Sequence, residues 1–169
     1  MSKKSDEPDY GVLLDTSFMI RLMDSTQPLH GNALGYFRYF LEKGITMYFS
    51  TISVAEFCTK GDFNDLPFKN IRILPFNIFH AKEAGIFANR LFEAKNKDEV
   101  KIDNRLIIPN DTKLFAQASN EKNIRYFVTS DVKSKRMIEI LRDDCEASFE
   151  HLDINTPYEN WKGVINFDS

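Results

Sequence analysis

Apolar residues in this chain occur in short runs that alternate with longer amphipathic segments. The runs are rich in β-branched and aromatic residues and end at glycine, proline or polar residues, which is typical of strands. They predict strands at residues 10–14, 45–49, 71–74 and 125–129, with an edge strand at 147–152. Between them, apolar residues recur at helical spacing. That spacing predicts helices at residues 18–23, 29–43, 77–94, 110–122 and 132–141.

The alternation of strands and helices predicts an α/β fold with a mostly parallel sheet of four to five strands, covered by helices on both faces. The chain has 169 residues, 43% of them hydrophobic, which fits one domain of ordinary size. We expect this domain at residues 10–155. A flexible polar tail at 1–9 precedes it, and a C-terminal extension at 156–169 follows it.

Three local features refine the predicted helices. Gly44 is expected to end the helix at 29–43 in the left-handed conformation. The helix at 77–94 is expected to bury one broad apolar stripe that includes Ile78, Phe79 and Ile86. Its His80 is assigned a structural role, and the charged stretch at 95–105 is interpreted as a surface loop or a frayed helix end.

Four carboxylates stand where an apolar run meets a turn or a helix. They are Asp15, Glu56, Asp111 and Asp131. The first and the last end predicted strands, and the other two are expected in the first turns of helices. Because ligands of parallel sheets bind beyond the carboxyl ends of the strands, all four are expected at one edge.

Each of these acids has a simpler explanation when it is taken alone, since an Asp between a strand and a helix is commonly an N-cap. The four acids together favour a metal site over separate helix caps, because carboxylates packed together raise one another's pKa unless a cation lies among them. Oxygen ligands select Mg²⁺ or Mn²⁺. Short polar neighbours are expected to support the acids, namely Ser17, Asn110 and Thr129.

Helix starts are assigned to neighbouring polar residues. Ser50 and Thr51 are expected to cap the helix that carries Glu56 in its early turns. Asn110 is expected to cap the helix that begins with Asp111.

The net charge of this chain limits how strongly its surface as a whole can bind nucleic acid. A net charge of −3 argues against a broadly basic surface. Lys133, Lys135 and Arg136, just beyond Asp131, are candidates for contacts to an RNA backbone, and a solvated helix face is the alternative for each of them. A second basic stretch lies at 95–105.

Cysteine content and hydropathy indicate the compartment. Cys58 and Cys145 are too few for a disulfide framework and lack zinc-site spacing, so a reducing cytoplasm is the expected setting and both are expected in the core. No segment is long and apolar enough to predict a membrane span.

At four segments the chain resembles the PIN-domain nucleases, and among them the VapC-type toxins of toxin–antitoxin pairs. Asp15-Thr16-Ser17, Thr51 to Glu56, Asn110-Asp111 and Thr129-Ser130-Asp131 are similar to the four family motifs in order. The resemblance implies a Mg²⁺- or Mn²⁺-dependent endoribonuclease with the four acids as catalytic metal ligands. It also implies a homodimer and inhibition by a small antitoxin that reaches into the acidic cleft.

Two other classes compete with this interpretation. A catalytically inactive PIN fold that serves as a binding or assembly module would be expected to have lost one of the four acids, and this chain keeps all of them. A phosphoaspartate enzyme is the other rival, because Asp15 ends a strand. The dehalogenase type requires a second Asp where this chain has Ser17, and a receiver domain requires an acidic pair that is absent after the first strand. The helices at 18–23 and 29–43, with Phe37, Tyr39 and Phe40, are candidates for an apolar partner surface, and a place in the core is the alternative for them.

Overall fold

The computed structural model describes residues 10–97 and 107–162 and confirms the predicted α/β fold. The strands are β1 (Gly11–Leu14), β2 (Thr46–Ser50), β3 (Arg72–Leu74), β4 (Ile124–Thr129) and β5 (Glu150–Asp153). The helices are α1 (Thr16–Met23), α2 (His30–Glu42), α3 (Thr51–Phe57), α4 (Ile78–Asn96), α5 (Ile107–Asn120), α6 (Lys133–Cys145) and α7 (Tyr158–Lys162), with a 3₁₀ turn at Phe63–Asp65. Among these residues no helix meets the length and hydropathy needed to cross a bilayer.

All five strands pair in parallel in the order β3-β2-β1-β4-β5. The chain builds outward from β1 to β3 on one side, then returns to pair β4 against the other side of β1. This reversal makes the crevice between the ends of β1 and β4 the topological switch point, where parallel sheets bind ligands.

Successive residues of the central strands face two separate cores, which explains why the strands are apolar runs and do not alternate with polar residues. Leu13 of β1 and Phe127 of β4 pack against α4, α5 and α6. Val12 and Leu14 of β1 point to the opposite face and pack among the side chains of α1, α2 and α3. The sheet is therefore covered on both faces, as predicted.

Two predicted helix positions are wrong. Ser50 does cap α3, with its Oγ accepting the N–H of Ile52 at 3.0 Å, but Glu56 lies in the last turn of this short helix and not in an early one. Helix α5 begins at Ile107, so Asn110 lies inside it and does not cap it. The predicted start at residue 110 was too late, and Pro109 lies in the observed first turn, which tolerates proline because the missing N–H would have no partner there.

The apolar stripe expected on α4 is only partly buried. Phe87 and Leu91 are in the core, but Ile78, Phe79 and Ile86 are 75%, 69% and 52% exposed. Helix α4 packs mainly against α5, and that contact covers a narrower face than the sequence pattern suggested. These three apolar residues of α4 therefore face solvent in the described part of the chain.

Helix α2 was predicted to end at Gly44, which does take the left-handed conformation with φ 66°. Its aromatic residues Phe37, Tyr39 and Phe40 are buried, so they belong to the core and do not form the partner surface proposed for them. Cys58 is exposed, contrary to the expected core position, and Cys145 is half-buried.

Helix α7 lies in the predicted C-terminal extension and packs on α2 through aromatic rings. The Trp161 ring centroid lies 5.8 Å from that of Tyr36, 5.7 Å from that of Tyr39 and 5.6 Å from that of Tyr126. The Tyr36 hydroxyl donates to the Thr156 carbonyl at 2.8 Å. These contacts hold α2 and α7 together over the end of the sheet.

Candidate functional site

Asp15 follows β1 directly and occupies the N-cap of α1. Its Oδ1 accepts the N–H of Thr16 at 2.8 Å, so the acid does cap the helix. Its Oδ2 accepts two hydroxyls, from Ser17 at 2.6 Å and from Thr129 at 2.8 Å. A helix cap needs only the first contact, and the other two fix the direction of the carboxylate.

Asp131 lies on the loop after β4, beside Asp15. The pairing of β1 with β4 places Leu14 opposite Val128. Asp15 and Thr129 are the next residues along the two strands. The Thr129 hydroxyl also accepts the N–H of Asp131 at 3.0 Å. The Asp131 carboxylate accepts the N–H of Lys133 at 2.9 Å at the start of α6.

Glu56 reaches the site from the end of α3. Its Oε2 accepts the Thr16 hydroxyl at 2.5 Å, a contact between residues forty positions apart in the chain. Thr16 is 8% exposed and Glu56 is half-buried, so this hydrogen bond is partly shielded from water. The first turn of α1 therefore holds two of the four acids, one through Ser17 and one through Thr16.

Asp111 is the acid most strongly affected by its surroundings. Burial, followed by the charges of Asp15, Asp131 and Glu56, raises its pKa from the ordinary 3.8 to about 8. Its Oδ2 is buried without a hydrogen-bond partner in the described part of the chain. The other three predicted acids thus lie within electrostatic range of Asp111.

The same four acids are not arranged as a ready coordination cage. Among the described residues no three His, Cys, Asp or Glu side chains come close enough together to hold a metal ion. Charge interactions extend further than coordination bonds, so the two observations agree. The set nevertheless suits a hard divalent cation, because its donors are all oxygen and the buried Oδ2 of Asp111 lacks a partner.

Of the supporting residues, Ser17 and Thr129 contact Asp15, whereas the Asn110 side chain is exposed on α5. Of the basic candidates, Lys133 and Lys135 are exposed in the first turn of α6. Arg136 lies 3.5 Å from Glu139 in an exposed ion pair, which reduces its availability to RNA.

The basic stretch at 95–105 is described only in part. Lys95 lies in the last turn of α4 and Lys97 is its C-cap. Lys101 and Arg105 lie outside the described residues.

Residues of β5 and of the loop beyond it contact the site, and the sequence motifs did not indicate this. No sequence motif gives His151 a role, yet its Nε2 lies 3.3 Å from the carbonyl oxygen of Asp131. The Asn155 amide donates to the Ser130 carbonyl at 2.9 Å. Both contacts depend on the pairing of β5 with β4, which no local pattern around His151 or Asn155 indicates.

Comparison with solved structures identifies proteins of similar fold. VapBC2 from Rickettsia felis, bound to a DNA fragment from its promoter, matches with TM-score 0.55 and 16% identity over 84% of this chain and 98% of the other. VapC20 from Mycobacterium tuberculosis, a sarcin–ricin loop cleaving toxin, matches with TM-score 0.53 and 19% identity over 72% and 91%. DNA-bound VapBC from Salmonella typhimurium matches with TM-score 0.51 and 17% identity over 86% and 98%.

No protein-family model matches the sequence, and no curated protein matches it significantly. The structural matches show that this chain has a VapC-like PIN-domain fold, as the sequence motifs suggested. At identities below 20% they establish the fold alone.

Proposed function

We propose that this protein is a Mg²⁺- or Mn²⁺-dependent endoribonuclease that hydrolyses RNA phosphodiester bonds. The observation that carries the proposal is the setting of Asp111, whose Oδ2 is buried without a hydrogen-bond partner in the described part of the chain and whose pKa is raised by burial and by three further acids. A cluster of carboxylates at the carboxyl edge of a parallel sheet is costly unless a cation neutralises it. Carboxylates with such raised pKa values are typical of functional sites, where the bound cation takes part in the reaction.

The residues that would hold the ion are Asp15, Glu56, Asp111 and Asp131. When bound, the ion supplies Lewis-acid assistance to phosphodiester hydrolysis. Ser17 and Thr129 orient the carboxylate of Asp15, and the Thr16 hydroxyl orients that of Glu56. Each carboxylate oxygen has two lone pairs, so these hydrogen bonds leave Asp15 and Glu56 able to bind a cation as well.

Substrate binding is assigned to the basic start of α6. Lys133 and Lys135 are exposed beside Asp131, where they can contact the phosphates that flank the scissile bond. Their contribution is electrostatic and blind to sequence, so it weakens as salt concentration rises.

The biological role that fits this fold is the toxin of a type II toxin–antitoxin pair. Support comes from the fold shared with VapC20, a sarcin–ricin loop cleaving toxin, and with two VapBC complexes. On this proposal the partner is a small antitoxin that places a cationic or polar group in the acidic cleft, and the toxin acts in the cytoplasm as a homodimer. The exposed apolar residues of α4, Ile78 and Phe79 in particular, offer area for a protein contact.

A non-catalytic PIN fold remains the competing function, and the side-chain contacts disfavour it. A pure binding module has no need of two hydroxyls directed at one carboxylate oxygen of Asp15. Nor has it need of a buried acid without a partner, which is destabilising in the absence of a cation.

Cleavage of a mixed RNA pool by purified protein, with Mg²⁺ or Mn²⁺ titrated, tests the proposed activity. We expect cleavage by the wild type to require the metal. Asp15→Asn, Glu56→Gln and Asp111→Asn should each lower the cleavage rate, because the amide keeps the shape of the side chain but not its charge. Loss of an outer hydrogen-bond partner of a metal ligand costs about 10–100-fold, and the loss of rate in these variants should be larger. Asp131→Asn should be milder, since its carbonyl oxygen can still coordinate.

The matched control is Asp143→Asn, the same chemical change at an exposed acid on α6. It should cleave as the wild type does. Full metal-dependent activity in Asp15→Asn or Asp111→Asn, with contaminating ribonuclease excluded, would refute the nuclease assignment and favour the binding module.

A further inference from the structure

Three successive carbonyl groups, at the last residue of β4 and on the loop that follows it, are each held by a donor from the segment 151–155. The Thr129 carbonyl accepts the N–H of Ile154 at 3.0 Å. The Ser130 carbonyl accepts the Asn155 side-chain amide at 2.9 Å. The Asp131 carbonyl accepts Nε2–H of His151, with the two atoms 3.3 Å apart.

Only the first of these contacts continues the sheet. The paired register of β4 and β5 ends at Thr129 and Asp153, and Ile154 adds one further backbone bond beyond it. The carbonyls of Ser130 and Asp131 lie past the last strand residue, where a loop carbonyl is ordinarily satisfied by water. Two side chains supply these donors instead, so the path of the loop is set by His151 and Asn155.

Both donors are themselves fixed in place. The Asn155 side chain also donates to Asp153 Oδ1 at 2.6 Å, and the backbone N–H of Asn155 donates to the same oxygen at 2.8 Å. His151 is half-buried on β5. A neutral imidazole carries one proton, and an acceptor carbonyl at Nε2 requires the proton on that atom.

The opposite side of the loop is held by the acidic site. The N–H of Ser130 donates to Ser17 Oγ at 3.3 Å, and the N–H of Asp131 donates to Thr129 Oγ1 at 3.0 Å. The peptide groups that carry Asp131 are thus fixed by the acid cluster on one side and by the β5 segment on the other. Losing either set would leave the direction of the Asp131 carboxylate less defined.

We propose that His151 and Asn155 are positioning residues of the acidic site, which hold the loop 129–131 so that Asp131 and Thr129 face Asp15. This inference rests on the proposed metal-dependent function, although its structural part concerns only the order of the loop. Neither residue touches the acids through its own reacting groups. Their effect is transmitted through the carbonyls of Ser130 and Asp131.

The test compares His151→Leu, Asn155→Ala and the double variant with the wild type. Amide hydrogen exchange on metal-free protein reports the order of residues 130–133, and electron paramagnetic resonance of free Mn²⁺ reports metal affinity. Cleavage kinetics then separate kcat from KM. Asn120→Ala is the matched control, because Asn120 is also exposed and its amide also donates to a backbone carbonyl, that of Ala116 at 3.1 Å, away from the loop.

In the double variant we expect faster exchange at residues 130–133, about 10-fold weaker Mn²⁺ binding and a comparable loss of kcat, with KM for RNA unchanged. His151→Gln keeps an N–H donor and should restore most of what His151→Leu loses. Asn120→Ala should leave all three readouts at the wild-type values.

Exchange and Mn²⁺ affinity that match the Asn120→Ala control would overturn the positioning role, whatever the cleavage rate. If the wild type binds Mn²⁺ but cleaves no RNA, the proposed function fails while a loss of Mn²⁺ affinity and loop order in the variants still supports the positioning role. If the wild type binds no Mn²⁺, both are wrong.

Discussion

Asp111 carries the greatest electrostatic cost among the acids of the site. Its carboxyl is mostly removed from water, one of its oxygens is buried without a partner, and three other acids add their repulsion. Loss of one of the other acids would reduce that repulsion, and a bound cation would remove more of it. The protein without metal therefore sacrifices stability at the position where the proposed ion would contribute most.

Asp111→Asn should raise the melting temperature of the metal-free protein at pH 8. The folded wild type holds the Asp111 proton up to a pKa of about 8, whereas the unfolded chain releases it near 3.8. The folded state binds more protons across this window, so wild-type stability falls as pH rises through it, and the variant escapes that loss. Thermal melts at steps from pH 4 to pH 8 should show the difference shrinking towards zero at the acid end.

Added Mg²⁺ should reverse the order at neutral pH, because the wild type gains stability by binding it and Asp111→Asn gains less. Asp143→Asn, at an exposed acid, should follow the wild type in both series. Equal stabilisation of wild type and Asp111→Asn by Mg²⁺ would contradict the assignment of Asp111 as a ligand.

The closeness of Asp15, Glu56 and Asp131 to Asp111 could be predicted from sequence, because each acid follows an apolar run or a helix start. The reasons were less accurate than the choice, since Glu56 lies in the last turn of α3 and Asp111 in the second turn of α5. The bond from Thr16 to Glu56 and the contacts of His151 could not be foreseen. They join residues that only the assembled sheet brings together.

Helix α4 illustrates how local chemistry and packing share control of a secondary structure. Asn77 caps it, with Oδ1 accepting the N–H groups of Phe79 at 2.9 Å and His80 at 3.1 Å. The His80 Nδ1 accepts the N–H of Asn77 at 3.1 Å, so His80 completes a capping box and is 1% exposed. The structural role predicted for His80 is therefore confirmed.

Asn77→Ala should lower the free energy of unfolding by about 1 kcal/mol, because two N–H groups at the start of α4 lose their acceptor. Asn89→Ala, at an exposed position in the middle of the same helix, is the control. It removes a single exposed contact to Glu93, which contributes about 0.2–0.5 kcal/mol at most, while alanine improves helix propensity. Urea denaturation measures both, and an equal loss in the two variants would argue against the cap.

The exposure of the outer face of α4 could not be predicted from the spacing of its apolar residues. A stripe of Ile78, Phe79 and Ile86 satisfies helical spacing, but spacing cannot show how wide a face the neighbouring helix covers. The strands were easier to place, because burial on both faces makes each one a continuous apolar run. Helix starts depend on single caps, and the start of α5 was predicted too late for that reason.

The order of the strands in the sheet determines where the site lies, and only the parallel arrangement of the strands could be predicted from sequence. Alternating strands and helices predicted a parallel sheet, and the strand order then set β1 beside β4, with Asp15 opposite the Thr129 loop. The sequence does not state which strands are neighbours. That information came with the assembled fold.

The C-terminal segment contributes to the stability of the whole fold. Trp161 lies on α7 and packs among aromatic rings of α2 and β4, so Trp161→Ala should lower the free energy of unfolding by roughly 2 kcal/mol, less than the loss at a fully buried tryptophan. Phe79→Ala removes another aromatic ring, one that is 69% exposed, and should stay within about 0.5 kcal/mol of the wild type. Chemical denaturation of both variants measures the difference, and a near-zero effect of Trp161→Ala would show that α7 docks weakly.

The central claim is that Asp15, Glu56, Asp111 and Asp131 together bind a divalent cation, and anomalous scattering from Mn²⁺-soaked crystals tests it most directly. Data collected on both sides of the manganese absorption edge should give a peak among the four carboxylates. The Mg²⁺ form should show oxygen ligands at roughly 2.0–2.1 Å. The peak should weaken or vanish in Asp111→Asn and persist in Asp143→Asn. No peak among the four acids at saturating Mn²⁺, with peaks confined to other surface carboxylates, would contradict the account.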